Sequence, residues 1–332
     1  MNDHLPIHLT LPKGYLNGET RNGYYVSPEK KKVWAVLLDM LNEVACICKK
    51  YDIRWFADGG TMLGAARHGG FIPWDDDIDV RMLRPDYDRF VEVAQKELKH
   101  PYFFQTEQTD PGSLRCHAQI RNSETAGMLR GEADINFTFN QGIFLDIFPW
   151  DNINDDDELV NQQVAEMREI ISTLRHSRYF PIIYWKYKRR NVIAWLFNCV
   201  KAWWIRNFRP LPADWNSKFD DIHAIITRYQ SIKTRRVGNL SLLQFRNNWC
   251  GLREDYDDVV YLPFEMLTIP VPKNYDRVLT AQYGEWKKPL QVPSTHGNVI
   301  LDTSRSYKVV LREIDSEGLK KWLKRNGYDK LK

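Results

Sequence analysis

The chain has 332 residues, of which 43% are hydrophobic and 27% charged, so it can bury a core in one large domain or two small ones. This balance excludes disorder as the dominant state, and a formal net charge of +4 is too small to indicate nucleic-acid binding by itself. Its five cysteines show no zinc-type spacing, and neither a signal peptide nor a spanning apolar run is evident, so we expect a cytoplasmic protein.

The first predicted element is a long amphipathic helix that begins after Ser27. Ser27 is a good N-cap and Pro28 suits the first helical position. Apolar residues then recur at steps of three and four from Val33 to Ile47, which predicts one buried face.

An alternation of short strands and helices follows as far as Trp150. We predict strands at "IRWFAD", "DIDVRM", "YFFQT", "RCHAQIR" and "GIFLDIF". A short helix is predicted at "TMLGAAR" and a longer one from Pro85, with "HGGFIPW" as a loop. The pattern indicates an α/β (α+β) core with a mixed sheet flanked by helices.

The remaining chain is predicted to contain a helical insertion and then mixed structure. Periodicity is helical from about 155 to 235, "LPFEMLTIPVP" is predicted as loop and short strand, and two further helices are predicted at "NYDRVLTAQYG" and "EGLKKWLKRNGY". We divide the chain into an N-terminal extension (1–26), a catalytic core (27–150), a helical region (151–240) and a part that completes the core (241–332).

The segment "GGFIPWDDDIDV" crowds four aspartates into five positions, between Asp75 and Asp79. On an extended segment Asp75, Asp77 and Asp79 share one face while Ile78 and Val80 point into the core. Fixed carboxylates repel one another unless a cation lies between them, and carboxylate oxygens suit Mg²⁺ or Mn²⁺. A solvated acidic turn is the alternative, but the Pro-Trp pair and the apolar strand around the run favour a metal site.

Three enzyme types place such an acidic pair at the end of a strand. Haloacid-dehalogenase-type phosphatases and DxD glycosyltransferases need an apolar strand before the first aspartate, and here "PWDD" stands there instead. Nucleotidyltransferases need a glycine turn, then Asp-x-Asp on a strand, then a third acid on a neighbouring strand. Gly59, Gly60 and Thr61, then the aspartate pair, then Asp146 in "FLDIF" supply all three parts in order. The turn leads into a helix N-terminus, which favours a phosphate.

The stretch "GGTMLGAARHGGFIPWDDDIDVRMLRPDYDRF" resembles the signature of the LicD family, which includes bacterial phosphocholine transferases and is related to fukutin-type ribitol-phosphate transferases. The resemblance continues in "GIFLDIFPWD" and "LPFEMLTIPVPKNYDRVLTAQYGEWKKP". It implies a nucleotidyltransferase-like fold and Mg²⁺-dependent transfer of a substituted phosphate from a CDP-linked donor to a glycan hydroxyl.

The resemblance also assigns site residues. Asp75, Asp77 and Asp79 form its acidic motif and Asp146 is its further acid; we expect Asp77, Asp79 and Asp146 to hold the metal ion, with Asp146 or Asp75 as general base. The resemblance places further residues on the donor side or in its second block: Gly60, Thr61, Arg67, His68, Glu265, Tyr275, Asp276, Tyr283 and Gly284. His117 and His296 have weaker claims, because a lone histidine is usually structural.

A choline group would be held by aromatic faces, for which Trp74 and Trp150 are candidates. Residues 181–210 combine aromatic side chains with seven Lys or Arg and no acid. This segment either lies on an anionic membrane surface or packs on the core with its basic side in water. We therefore expect phosphocholine transfer from CDP-choline to a glycan precursor, with ribitol or glycerol phosphate as alternative cargo and a silent nucleotide- or glycan-binding module as the alternative of another class. Nucleic acid is not expected as a partner.

Overall fold

The structure is a computed structural model that describes residues 5–113, 115–133, 139–185, 193, 196–197, 199–200, 203, 215–243, 249–290 and 299–328. His296 and most of residues 186–214 lie outside the described residues.

The helices, numbered in chain order, are α1 Pro28–Lys50, α2 Gly59–His68, α3 Arg84–Glu97, α4 Arg130–Ala133, α5 Asp157–Trp185, α6 Trp215–Ile226, α7 Leu240–Leu243, α8 Tyr275–Tyr283, α9 Tyr307–Glu317 and α10 Leu319–Arg325. The strands are β1 Glu19–Arg21, β2 Tyr24–Val26, β3 Phe56–Ala57, β4 Asp79–Leu83, β5 Tyr102–Gln105, β6 Ala118–Asn122, β7 Ala126–Leu129, β8 Ile143–Ile153, β9 Arg236–Gly238, β10 Cys250–Leu252, β11 Val259–Phe264, β12 Leu267–Pro272 and β13 Val299–Asp302.

Helix α1 begins where its capping residues predict. The Ser27 hydroxyl accepts a hydrogen bond from the Lys30 backbone N–H at 3.3 Å, and Pro28 occupies the first turn. The apolar face of α1 packs into the main core, where Val36, Leu37 and Leu41 are fully buried. This burial orients α1 against the sheet and the loop before β4.

Within the described residues the main sheet has seven strands, and β8 is its central member. The middle of β8 pairs parallel with β4 on one side, and its first half pairs antiparallel with β6 on the other. The end of β8 pairs antiparallel with β9, while β3 lies outside β4 and β5 outside β6. Parallel and antiparallel pairs in one sheet, covered by helices, confirm the predicted α+β class.

The segment predicted as loop and short strand at 262–272 is instead most of a β-hairpin. Strands β11 and β12 pair over six positions, joined by Glu265 and Met266. Proline is usually excluded from a sheet interior, but in a two-stranded ribbon Pro263 and Pro270 can leave their missing N–H groups outside the ladder. The prolines of this segment therefore led us to predict less strand than the hairpin contains.

The predicted helical insertion is confirmed in its described parts. Helices α5 and α6 pack together through apolar residues that include Met167, Ile171, Phe219 and Ile222. None of the described helices is both long and apolar enough to cross a membrane. Strand "IRWFAD" is shorter than predicted, and α9 before the terminal helix was not predicted.

Candidate functional site

The glycine turn at the start of α2 lies against two carboxylates of the acidic segment. A Cβ on Gly60 would come within 2.6 Å of Asp75 Oδ2, and one on Gly59 within 3.3 Å of Asp79 Oδ2. Gly59 also has a φ of 47°, which side chains other than glycine rarely adopt. The backbone angle therefore favours glycine at position 59, and a side chain at position 60 would displace the Asp75 carboxylate.

The backbone of β4 is tied to the same helix end. The Asp79 N–H donates to the Thr61 hydroxyl at 2.9 Å, and the Asp58 N–H donates to the Asp79 carbonyl at 2.9 Å. The Asp58 carboxylate caps α2 by accepting from the Gly59 N–H at 2.6 Å. The turn, helix and strand thus hold the carboxylate of Asp79 in one place.

The predicted third acid lies directly beside the acidic strand. Asp79 and Asp146 are cross-strand partners in the parallel pair of β4 and β8, and the Asp146 N–H donates to the Ile78 carbonyl at 3.0 Å. Partners on adjacent strands point to the same face of a sheet about 5 Å apart. The structure therefore brings these two predicted acids together.

The extended interpretation required the other aspartates of the run to lie on the strand as well, and this prediction was wrong. Strand β4 begins only at Asp79, and Asp75, Asp76 and Asp77 lie in the preceding loop. Each of these three offers a carboxylate oxygen within 4.8 Å of the others. Asp76 was not among the predicted site residues, because strict alternation places it on the opposite face.

Helix α1 anchors this loop through its backbone. The indole N–H of Trp34 donates to the Asp75 carbonyl at 3.0 Å, and the Lys30 ammonium donates to the same oxygen at 3.4 Å. The Trp34 ring stacks on Phe71 with centroids 4.5 Å apart. Stacking and hydrogen bonds together restrain the loop that carries the acids.

Burial and mutual repulsion raise the pKa values of the acidic group. The pKa of Asp79 is well above its usual value because the carboxyl is buried and lies near Asp77, Asp146 and Asp75. The pKa of Asp75 is also raised, by burial first and then by Asp77. A divalent cation bound by these oxygens would favour their charged forms, so the residues present fit Mg²⁺ or Mn²⁺.

The surroundings of Asp146 include residues from β6 and the loop before it. His117 Nε2 lies 3.1 Å from Asp146 Oδ1, and the side-chain amide of Gln119 donates to the same oxygen. The ring of His117 also packs on Phe148, with centroids 4.5 Å apart. Gln119 was missed from the sequence, although "HAQIR" places His117, Gln119 and Arg121 on one strand face.

Beneath the turn lies a buried ion pair. Arg81 is 1% exposed and its guanidinium contacts the Asp58 carboxylate, which is fully buried. Arg81 also donates to the Tyr256 hydroxyl at 2.6 Å and stacks over Trp150 at 3.9 Å. Trp150 is thus occupied by a protein cation, so this side chain is unsuited to hold a choline group.

Of the predicted donor-side residues, Arg67 and His68 lie in the last turn of α2, and Trp74 lies in the loop before the acids. Arg67 donates to the Trp286 carbonyl at 2.9 Å and to His68 Nε2 at 2.9 Å, so its guanidinium joins α2 to the segment after α8. Trp74 is half-buried and meets the ring of Tyr24 edge-on at 6.0 Å. Phosphate contacts by Arg67 and His68 stay a prediction.

Glu265 braces the loop that leads to the acids. Its side chain is 4% exposed, forms two contacts with Arg21, and accepts from the Phe71 N–H at 3.1 Å. Its φ of 55° is unusual for a residue with a side chain, and the Glu265 N–H donates to the Gly69 carbonyl at 2.9 Å. From the same second block, the Tyr283 hydroxyl would lie 3.6 Å from a Cβ on Gly59.

Comparison with known proteins points to one family. Residues 52–194 match the family described as LicD/FKTN/FKRP, nucleotidyltransferase domain. The lipopolysaccharide cholinephosphotransferase LicD of Haemophilus influenzae is 26% identical over 280 residues, which are 76% of this chain and 89% of that relative. The ribitol 5-phosphate transferase FKRP of Homo sapiens is 50% identical over 43 residues, 13% of this chain and 9% of that relative.

These matches agree with the resemblance that the acidic motif indicates and with the juxtaposition of its parts in the fold. Residues 52–194 of this chain therefore match the nucleotidyltransferase domain of the LicD family, and most of the chain is similar to one LicD protein.

Proposed function

We propose that this protein transfers phosphocholine from CDP-choline to a hydroxyl of a cell-surface glycan precursor. The observation that carries the proposal is the pairing of Asp79 with Asp146 beside a glycine turn, in a chain similar over most of its length to a cholinephosphotransferase. The family match supports the broader class, a transferase of phosphoryl-type groups. The choline cargo and the CDP-linked donor are the finer parts of the proposal.

Asp77, Asp79 and Asp146 would hold Mg²⁺ or Mn²⁺ in this proposal. The bound ion would supply charge neutralisation for the donor diphosphate and the departing CMP. The protein's own part is positioning, since phosphoryl transfer needs little covalent chemistry from side chains. The hydrogen bonds that restrain the backbone at Asp79 and Asp75 suit this role.

Of the two candidates for general base, we assign Asp75. The Asp146 carboxylate accepts from Gln119 and lies within hydrogen-bond distance of His117, so it is already engaged by side chains of the protein. Burial and the neighbouring Asp77 make Asp75 more basic, because they raise its pKa. A carboxylate with a raised pKa is the better proton acceptor for a sugar hydroxyl.

The choline group would be bound by the ring of Trp74 in this proposal. Trp74 is half-buried and directly precedes the acidic loop, whereas the neighbouring Tyr24 ring already has the Lys30 ammonium 5.6 Å from its centroid. A quaternary ammonium over such a face gains about 0.5 to 2 kcal/mol. The second candidate cargo is ribitol phosphate, favoured by the local similarity to FKRP.

The donor panel tests the proposed function. Purified protein is incubated with CDP-choline, CDP-ribitol, CDP-glycerol or CDP-ethanolamine, with Mg²⁺ or with EDTA, and CMP release is measured. We expect release from CDP-choline with Mg²⁺ and none with EDTA. Preferential release from CDP-ribitol would replace the cargo, and absence of both release and metal-dependent donor binding would favour a silent binding module.

We further propose that the exposed apolar side chains described between positions 193 and 203 dock on an anionic membrane surface. Five large apolar side chains here are exposed, among them Ile193 at 81% and Phe197 at 70%; the others are Leu196, Val200 and Trp203. Their spacing is that of one helix face. The surrounding segment 181–210 carries seven basic residues and no acid, which complements anionic lipid.

Vesicle flotation measures this docking directly. We expect the protein to float with vesicles that contain phosphatidylglycerol and to be released by high salt. Leu196→Asp/Phe197→Asp is expected to weaken vesicle binding at least about tenfold, because burial of each side chain is worth about 1.5 to 3 kcal/mol. Leu290→Asp is the control, as Leu290 is 72% exposed but lies outside this segment. Equal binding of all three proteins would contradict the proposal.

A further inference from the structure

A buried guanidinium lies on the polar face of the sheet, next to the row of residues that contains Asp146. Arg121 on β6 is 1% exposed. It donates to Gln119 Oε1 and to Gln105 Oε1, each at 2.6 Å, and to the Gly142 carbonyl at 2.9 Å. Within the described part of the chain, Arg121 therefore donates to amide and backbone oxygens rather than to carboxylates.

Arg121 fixes the orientation of the side-chain amides of Gln119 and Gln105. A guanidinium has only donors, so each glutamine must turn its oxygen towards Arg121 and its NH₂ group away. This removes the usual ambiguity between the nitrogen and the oxygen of a side-chain amide. The orientation of Gln119 follows from its neighbours.

The NH₂ group of Gln119 is then directed towards Asp146. Gln119 and Asp146 are cross-strand partners of β6 and β8, and the amide donates to Asp146 Oδ1. On the other side of β8, Asp79 is the partner of the same residue. Asp146 is thus held between an acid on one strand and an amide donor on the other.

We propose that Gln119, oriented by Arg121, is a positioning residue that presents Asp146 to the metal ion. This inference rests on the proposed function, in which Asp146 is a metal ligand. A donor fixed on one carboxylate oxygen restrains rotation of the group and so holds the carboxylate in one orientation towards the cation. Loss of such a supporting hydrogen bond typically costs about 10- to 100-fold in metal affinity.

Gln105 provides a matched control within the same network. It accepts from Arg121 at the same distance as Gln119, but its NH₂ group donates to Asp110 Oδ2 at 2.6 Å and to the Asn140 carbonyl at 2.9 Å. Both glutamines are buried. Replacing either one removes an acceptor from Arg121, whereas only replacement of Gln119 removes the donor to Asp146.

Calorimetric titration of the metal-free full-length protein with Mn²⁺ tests the inference. Gln119→Met keeps the length of the side chain and is expected to raise the Mn²⁺ dissociation constant about 10- to 100-fold. Gln105→Met is expected to change it less than about threefold, with a similar loss of thermal stability. If Gln119→Met does not fold, Gln119→Asn carries the test, because the shorter amide cannot satisfy Arg121 and Asp146 together.

Wild type and Asp146→Asn separate this inference from the proposed function. If the wild type binds no Mn²⁺, or Asp146→Asn binds it as tightly, the proposed metal site fails. If Asp146→Asn weakens binding while both glutamine variants behave alike, the metal site stands and the role of Gln119 is overturned. A selective effect of Gln119→Met supports the inference.

Discussion

Asp79→Asn is expected to lower metal-dependent CMP release by about a thousandfold, because it removes one charge from the centre of the acidic group. Asparagine keeps the shape of the side chain, and the hydrogen bonds that tie residue 79 to Thr61 and Asp58 come from its backbone. The assay is CMP release from CDP-choline with saturating Mg²⁺, together with Mn²⁺ titration.

Asp258→Asn is the control for this substitution. Asp258 carries a solvated carboxylate that pairs with Lys273 at 3.1 Å, far along the chain from the acidic run. It should leave CMP release and metal affinity unchanged. Retention of more than about a tenth of wild-type activity by Asp79→Asn would contradict a metal-ligand role.

The stability of the same variant has a predictable sign. The pKa of Asp79 is raised in the folded protein, so the folded state binds the proton more tightly than the unfolded chain does. As pH rises from the unfolded pKa through the raised one, the metal-free protein therefore loses stability. The asparagine side chain of Asp79→Asn cannot ionise. In EDTA at neutral pH this variant is therefore expected to unfold at a temperature no lower than that of the wild type. Residues kept for function often carry such a cost in stability.

Asp58→Asn is expected to lower the free energy of unfolding by about 3 kcal/mol. Asparagine can still cap α2, but the buried guanidinium of Arg81 loses the carboxylate that compensates its charge. Urea denaturation measures the loss. Because Arg81 lies on β4 two residues after Asp79, loss of its partner should disturb this strand and lower CMP release as well.

Glu97→Gln separates the effect of burial from the loss of any ion pair. Glu97 pairs with Lys50 at 2.7 Å on the surface, where solvent screens the charges. The substitution Glu97→Gln should therefore leave the midpoint of urea denaturation unchanged. Equal losses in the two variants would show that the buried pair beneath the glycine turn has no special importance.

The local patterns of the sequence were sufficient for much of the site. Ser27 and Pro28 predicted the start of α1, because capping depends on residues next to each other in the chain. The glycine turn, the acidic run and the third acid in "FLDIF" were recognised together, because their order and spacing are local properties. The proposed metal binding follows from the residue types, since hard oxygen donors in a group suit a divalent cation.

Other features depended on strands far apart in the chain. Asp79 lies opposite Asp146 only because β4 and β8 pair in one register, and a shift of one residue would turn one carboxylate to the other face. The extended interpretation failed for Asp75 and Asp77, because the bonds of Trp34 and Lys30 fold that loop before the strand begins.

The resemblance to the LicD family, the acidic motif and the helix that supports it could be read from the sequence, because they depend on residue type and short spacing. The supporting contacts became visible in the fold: Glu265 against the loop before the acids, Arg81 against Asp58, and Gln119 against Asp146. Each is a polar contact between segments distant in sequence. The partners in each contact are brought together by the packing of the sheet and the hairpin, which a local sequence pattern does not predict.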